Sequence, residues 1–206
     1  MRLAIAATFT AEPVEASLRF WMKQLGFDAA IEFGPYNQVF QLLLDPTSVL
    51  GQNNDVNLLL IRAEDWQREA IEPFIKGQVS EPSIDLHKAT RDIDDFIKAA
   101  QAYMSRSSTP LVVMICPETQ ALAQTPPYSD EMSLLECPLV DAFENTSAHV
   151  IQGDELFGLY PVKQYHDLQL DRMGHIPFTD EAFTAIGTLA ARRIAAIKRS
   201  PKKVIA

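Results

Sequence analysis

The sequence predicts a three-layer α/β sandwich on a mainly parallel sheet of about five strands. Three observations carry that expectation. Apolar runs of strand length recur at intervals, and they are continuous rather than alternating, as strands covered on both faces must be. Segments with helical periodicity separate them, which is the pattern of βαβ units. Dense polar clusters follow several runs, and open α/β sheets display functional groups at the carboxyl ends of their strands.

The strand-like runs are Leu3–Phe9, Ala29–Phe33, Val56–Ile61, Leu111–Ile115 and Ala148–Ile151. After the first run, Val14, Leu18, Trp21, Met22 and Leu25 share one helical face, with Pro13 opening the helix and Gly26 closing it. GPYNQVFQLLLDP (34–46) reads as a buried strand or loop leading into a polar cluster. Residues 67–83 hold Pro73, Gly77 and Pro82 and read as a loop with a short helical turn. Ile93, Phe96, Ile97, Ala100 and Met104 form a second helical face. Residues 117–147, rich in proline, read as a long insertion with a helix near Ser129–Cys137, placed as a binding element over the strand ends. The last helix starts at Thr179 as N-cap and carries Phe183, Ile186, Leu189, Ala190, Ile194 and Ile197 in register. Residues 1–199 thus form one α/β domain; 200–206 read as a linker and the start of a following strand, so the chain reads as part of something longer.

Composition narrows the function. With 47% hydrophobic residues, the 206-residue chain can bury a full core. No apolar run reaches spanning length, and Leu3–Phe9 is too short for a signal core, so the expected location is the cytoplasm with no membrane partner. Cys116 and Cys137 lack metal-ligand spacing and read as two reduced thiols, one disulfide being the alternative. Residues 192–206 carry six basic side chains and no acid, so of the net charge of −9 the preceding body holds −15. Such a body repels phosphate backbones, and no basic groove with interleaved aromatics appears, which excludes nucleic acid as a partner. The basic tail reads either as a helix end and exposed linker or as a contact for an acidic carrier protein. No glycine run cradles a nucleotide, and no histidine pair has zinc spacing, so no cofactor is expected. His87, His149 and His166 offer no partner by spacing, His166 being merely adjacent to Asp167.

Taken in order, AATFTAEP, GPYNQVFQLLLDP, LIRAEDW, GHIPFT and a terminal KKVIA form a long ordered set. It resembles the N-terminal domain of FkbH-like proteins of polyketide and nonribosomal-peptide assembly lines. That resemblance covers nearly the whole chain and implies an SGNH hydrolase-like fold. It also implies a following haloacid-dehalogenase-type domain that loads a glyceryl unit onto an acyl carrier protein, entered through an aspartate-rich motif after KKVIA. Acyl or peptidyl carrier proteins and neighbouring assembly-line domains are the partners it implies.

The same resemblance implies a site. AATFT laid over the family's GDSLT puts Thr8 at the serine position; as a bare residue, Thr8 is a strand-end hydroxyl bonded to backbone. GHIPFTDEAF is similar to the family's DGIHLSPEGY, which makes His175 the base and Asp171, four residues earlier rather than three, its orienting carboxylate. Without the resemblance, His175 caps its turn. Arg62 falls at the oxyanion glycine and Glu64 at the oxyanion asparagine, and an ionised glutamate accepts hydrogen bonds instead of donating them. Arg62 or Asn37 could replace the lost donor; alternatively Arg62, Glu64 and Asp65 form a structural ion-pair network, and Pro35–Gln38 a capped turn. Thr10, Asn37, Arg62, Glu64 and Asp65 are the expected lining of the crevice. Three functions follow: a degenerate SGNH-like domain that docks a carrier protein or positions a neighbouring domain, an SGNH-type esterase or acyltransferase using Thr8, His175 and Asp171, or a small-molecule binding module without turnover.

Overall fold

The computed structural model describes residues 1–125, 137–144 and 146–199. Its strands are β1 (Arg2–Ala7), β2 (Ala30–Phe33), β3 (Val56–Ile61), β4 (Leu111–Ile115) and β5 (Ala148–Ile151). They form an all-parallel sheet in the order β2-β1-β3-β4-β5, with each neighbouring pair in parallel register. Between them run α1 (Val14–Gln24), α2 (Val39–Leu44), α3 (Arg68–Ile75), α4 (Leu86–Arg106) and α5 (Gln120–Ala123), and after β5 come α6 (Gly153–Leu159), α7 (Leu168–Gly174) and α8 (Asp180–Lys198). Residues 137–143 are also helical.

Period-two geometry divides the apolar strands between two cores. Leu3, Ile5, Val56, Leu58, Leu60, Val112 and Met114 meet α1, α6 and α8 on one face. Ala4, Ala6, Leu59, Ile61, Leu111, Val113 and Ile115 meet α2, α4 and Leu139 on the other. Every residue of β3 and β4 is buried, which explains their continuous hydropathy. The three-layer sandwich is the one the sequence predicts.

Local signals set the helix ends. Gly26 takes φ 88° after α1, where a side chain would be strained, and Phe27 N–H closes back on Met22 O at 2.8 Å. Thr179 caps α8 by accepting from Ala182 N–H, as expected. Gly187 lets α8 approach α1 closely: a Cβ there would stand 2.0 Å from Ser17 Oγ and 3.0 Å from Leu18 N. Gly187→Val should therefore lose about 1–3 kcal/mol of stability by forcing these helices apart, read as a lower urea midpoint with unchanged slope.

Three expectations change. The first strand stops at Ala7 rather than Phe9, because pairing with β3 ends there. VFQLLL (39–44), read as strand or loop, is helix α2, since Val39, Leu42 and Leu43 bury together on one helical face. Residues 63–75, beyond the one short turn expected, hold a 3-10 turn (Ala63–Gln67) that runs into α3. The helix expected near Ser129–Cys137 lies outside the described residues, apart from Cys137. Residues 200–206 are also outside them. No helix among the described residues is long and apolar enough to cross a membrane.

Candidate functional site

Strand order reverses at β1, which pairs with β2 on one side and β3 on the other, so the carboxyl ends of these three strands frame the crevice where such folds bind ligands. Thr8 leaves β1 there and Arg62 leaves β3. Helix α7 closes over the same end. Thr10 N–H donates to His175 O at 2.9 Å and Thr10 Oγ1 to Gly174 O at 2.7 Å, so the loop after β1 is tied to the segment leading into α8.

Arg62 is the centre of the site. Its guanidinium is wholly buried between the rings of Phe9 and Phe178, each 6.0 Å from its carbon. Three carboxylates answer its charge: Asp65 at 2.5 Å, Glu64 at 3.3 Å and Asp171 at 3.4 Å. Arg68 adds a second cation, 2.7 Å from Asp171 and 3.8 Å from Asp65. A network of this kind avoids the penalty of isolated buried charge only if each member is paired. Burial works against the Arg62 charge, but Asp65, Glu64 and Asp171 more than offset it and hold its pKa well above the usual arginine value. The structure thus makes Arg62, Glu64 and Asp65 the ion-pair network that the sequence offered as one of its readings.

Within that network two of the expected catalytic groups, Thr8 and Asp171, are already engaged. Thr8 is wholly buried. Its Oγ1 donates to Asp65 Oδ2 at 3.0 Å and accepts from Arg62 N–H at 2.9 Å. Glu64 is buried too, and accepts from Thr119 N–H at 2.9 Å and from the Thr119 hydroxyl. Burial raises the Glu64 pKa despite Arg62 and Thr119. Asn37 adopts φ 52°, its N–H donates to Ala7 O at 3.2 Å, and its side chain is exposed. Beside it, the crevice lined by Ala7, Phe9, Thr10, Gly34 and Tyr36 holds only ≈ 10 Å³. That is room for about one water molecule.

The expected Asp171–His175 pairing is replaced by another. Asp171 Oδ2 lies 2.9 Å from His166 Nε2, and Oδ1 takes Arg68. Burial alone would raise the Asp171 pKa, but the His166 hydrogen bond and the two guanidiniums outweigh it and hold it far below the carboxylate range. Helix α7 explains the exchange. Asp167 is its N-cap, accepting from Gln169 and Leu170 N–H. His166 and Asp171 therefore occupy the N′ and N4 positions, which approach each other when a chain enters a helix. His175 meets Asp171 only through its backbone, N–H to O at 3.1 Å, and leaves α7 in the left-handed conformation at φ 53°. Its ring stacks on Tyr36 at 5.0 Å and 14°, and Nδ1 is buried without a hydrogen-bond partner among the described residues. His166, Arg68 and Tyr36 were not among the residues expected at the site. The cap at Asp167 is the sequence signal that finds His166. No group of metal-ligating side chains stands together among the described residues.

No family model matches the sequence, and no curated protein matches it in sequence either. Solved structures do match in fold. The N-terminal part of BF1531 from Bacteroides fragilis, containing a phosphatase domain complexed with Mg, aligns over 96% of this chain and 52% of its own with TM-score 0.73 and 14% identity. A lipase/acylhydrolase from Enterococcus faecalis aligns over 98% and 99% with TM-score 0.64 and 11% identity. The salicylyl-acyltransferase SsfX3 of a tetracycline biosynthetic pathway aligns over 95% and 54% with TM-score 0.52 and 13% identity. The chain is similar in fold to SGNH-type acylhydrolases, and it spans about half the length of the Bacteroides fragilis structure.

Proposed function

We propose that this is an SGNH-like accessory domain of an FkbH-like biosynthetic protein, one that docks a carrier protein or positions a neighbouring catalytic domain. The observation that carries the reading is the Thr8 hydroxyl. The sequence resemblance puts it at the nucleophile position, yet it is sealed from solvent with its one proton committed to Asp65 and its oxygen to Arg62 N–H. An acyl nucleophile needs an accessible oxygen with a base in reach. Here the base position is an imidazole stacked on Tyr36 whose expected carboxylate is held by His166. The full-length fold match to an acylhydrolase and the half-length match to a phosphatase-containing chain both suit a scaffold reused beside another catalytic unit.

Docking is tested by fluorescence titration of the labelled domain with an acyl carrier protein. Saturable association in the micromolar range is expected; none up to the solubility limit ends the docking role.

One observation favours a second reading, an SGNH-type esterase or acyltransferase. His175 Nδ1 is a buried ring nitrogen with no hydrogen-bond partner among the described residues, and such groups are costly to keep. Under the docking reading, wild type and His175→Ala hydrolyse p-nitrophenyl and N-acetylcysteamine esters at the same background rate. A loss of about 100-fold or more in His175→Ala would establish the esterase instead.

A further inference from the structure

The opposite end of the sheet carries a different surface. There α1 ends in an aromatic pair, Phe20 and Trp21, 55% and 38% exposed, with ring centroids 5.2 Å apart. Arg19 and Lys23 lie one helical turn apart beside Phe20, and they rim a hollow of ≈ 490 Å³ with Phe27, Asp28 and Ala29. Helix α8 brings its own carboxyl end to the same place: Arg199 donates to Leu25 O at 2.8 Å, and Lys198 lies 3.0 Å from Asp55.

The charge there runs against the rest of the molecule. In a chain of net charge −9, this end gathers Arg2, Arg19, Lys23, Lys198 and Arg199 against Glu15, Asp28 and Asp55. Glu15 answers Arg19 and Asp55 answers Lys198. Lys23 and Arg199 form no ion pair among the described residues. Exposed aromatics are typical anchors of protein interfaces, and surrounding charge selects the partner and speeds its approach. A symmetric pairing of this face with itself would set like charges together.

We infer that the Phe20–Trp21 edge of α1, with the basic hollow beside it, docks an acidic protein surface. The inference rests on the docking reading and places it on a face remote from the ion network. Contact would desolvate the two rings while Lys23 and Arg199 meet carboxylates of the partner.

The test titrates labelled acyl carrier protein, an acidic protein, with wild type, Phe20→Ser, Trp21→Ser and Lys23→Glu, all at exposed positions, with circular dichroism to confirm each fold. Phe20→Ser and Lys23→Glu should weaken binding about tenfold or more. Raising salt from roughly 50 to 500 mM should weaken the wild type as well. If wild type binds and all three variants bind within about twofold of it, the docking reading stands and this face is the wrong one. If wild type does not bind, both fall. Self-association of the chain that Phe20→Ser abolishes, without carrier binding, would make a second copy the occupant and overturn the acidic partner.

Discussion

Arg62→Met should lose about 3–5 kcal/mol of folding stability, because it leaves buried carboxylates without their cation. Methionine fills much of the volume between Phe9 and Phe178, so the loss reports charge rather than a cavity. Among the described residues Asp65 and Glu64 would keep only Arg68, Thr8 and Thr119 as side-chain partners, and Arg68 is already committed to Asp171. Arg62→Lys should fall between, since one ammonium cannot reproduce the separate guanidinium contacts to Asp65, Glu64 and Asp171. Urea unfolding at neutral pH measures all three proteins. A methionine variant within about 1 kcal/mol of wild type would show that the network contributes no net pairing.

The second large effect separates two acids of that network by sign. Asp171→Asn should cost about 3 kcal/mol at neutral pH, because its carboxylate is paired with His166, Arg68 and Arg62. The Asp171 pKa is depressed in the folded protein, so the stability it contributes is present above its unfolded pKa and is lost as pH falls toward the folded value. The gap between wild type and Asp171→Asn should therefore narrow below about pH 4. Glu64 behaves oppositely. Burial raises its pKa, so its contribution is greatest at low pH and declines as pH rises through the folded value. Glu64→Gln keeps an acceptor for Thr119 N–H and should match or exceed wild-type stability at neutral pH, its advantage growing with pH. Urea midpoints taken at several pH values check both slopes. Equal losses in the two variants would refute the assignment.

Legibility in the sequence followed burial. Strands β3 and β4 are legible to the residue because they are buried along their whole length. Thr179 and Gly26 marked helix ends through chemistry confined to a few neighbouring residues. Helix α2 is not legible because its six residues are too few and too apolar for periodicity to separate helix from strand. The charged cluster is legible as residues and not as pairs. Arg62, Glu64 and Asp65 stood out as a charged cluster, but nothing local shows that Asp171, 109 residues away, completes it. Adjacency to Asp167 hides the role of His166, because only the cap that Asp167 forms brings His166 onto Asp171.

By itself the sequence determined the layer architecture and which segments reach the carboxyl ends of the strands. Hydrophobic period and capping act over a few residues, so both are written locally. Tertiary structure alone decided that the Thr8 hydroxyl is sealed and that Asp171 turns to His166 and two arginines rather than to His175. Those choices depend on which side chains lose water together when distant segments pack. The partner of a buried charge is the nearest group that can stabilise it, wherever in the chain that group lies.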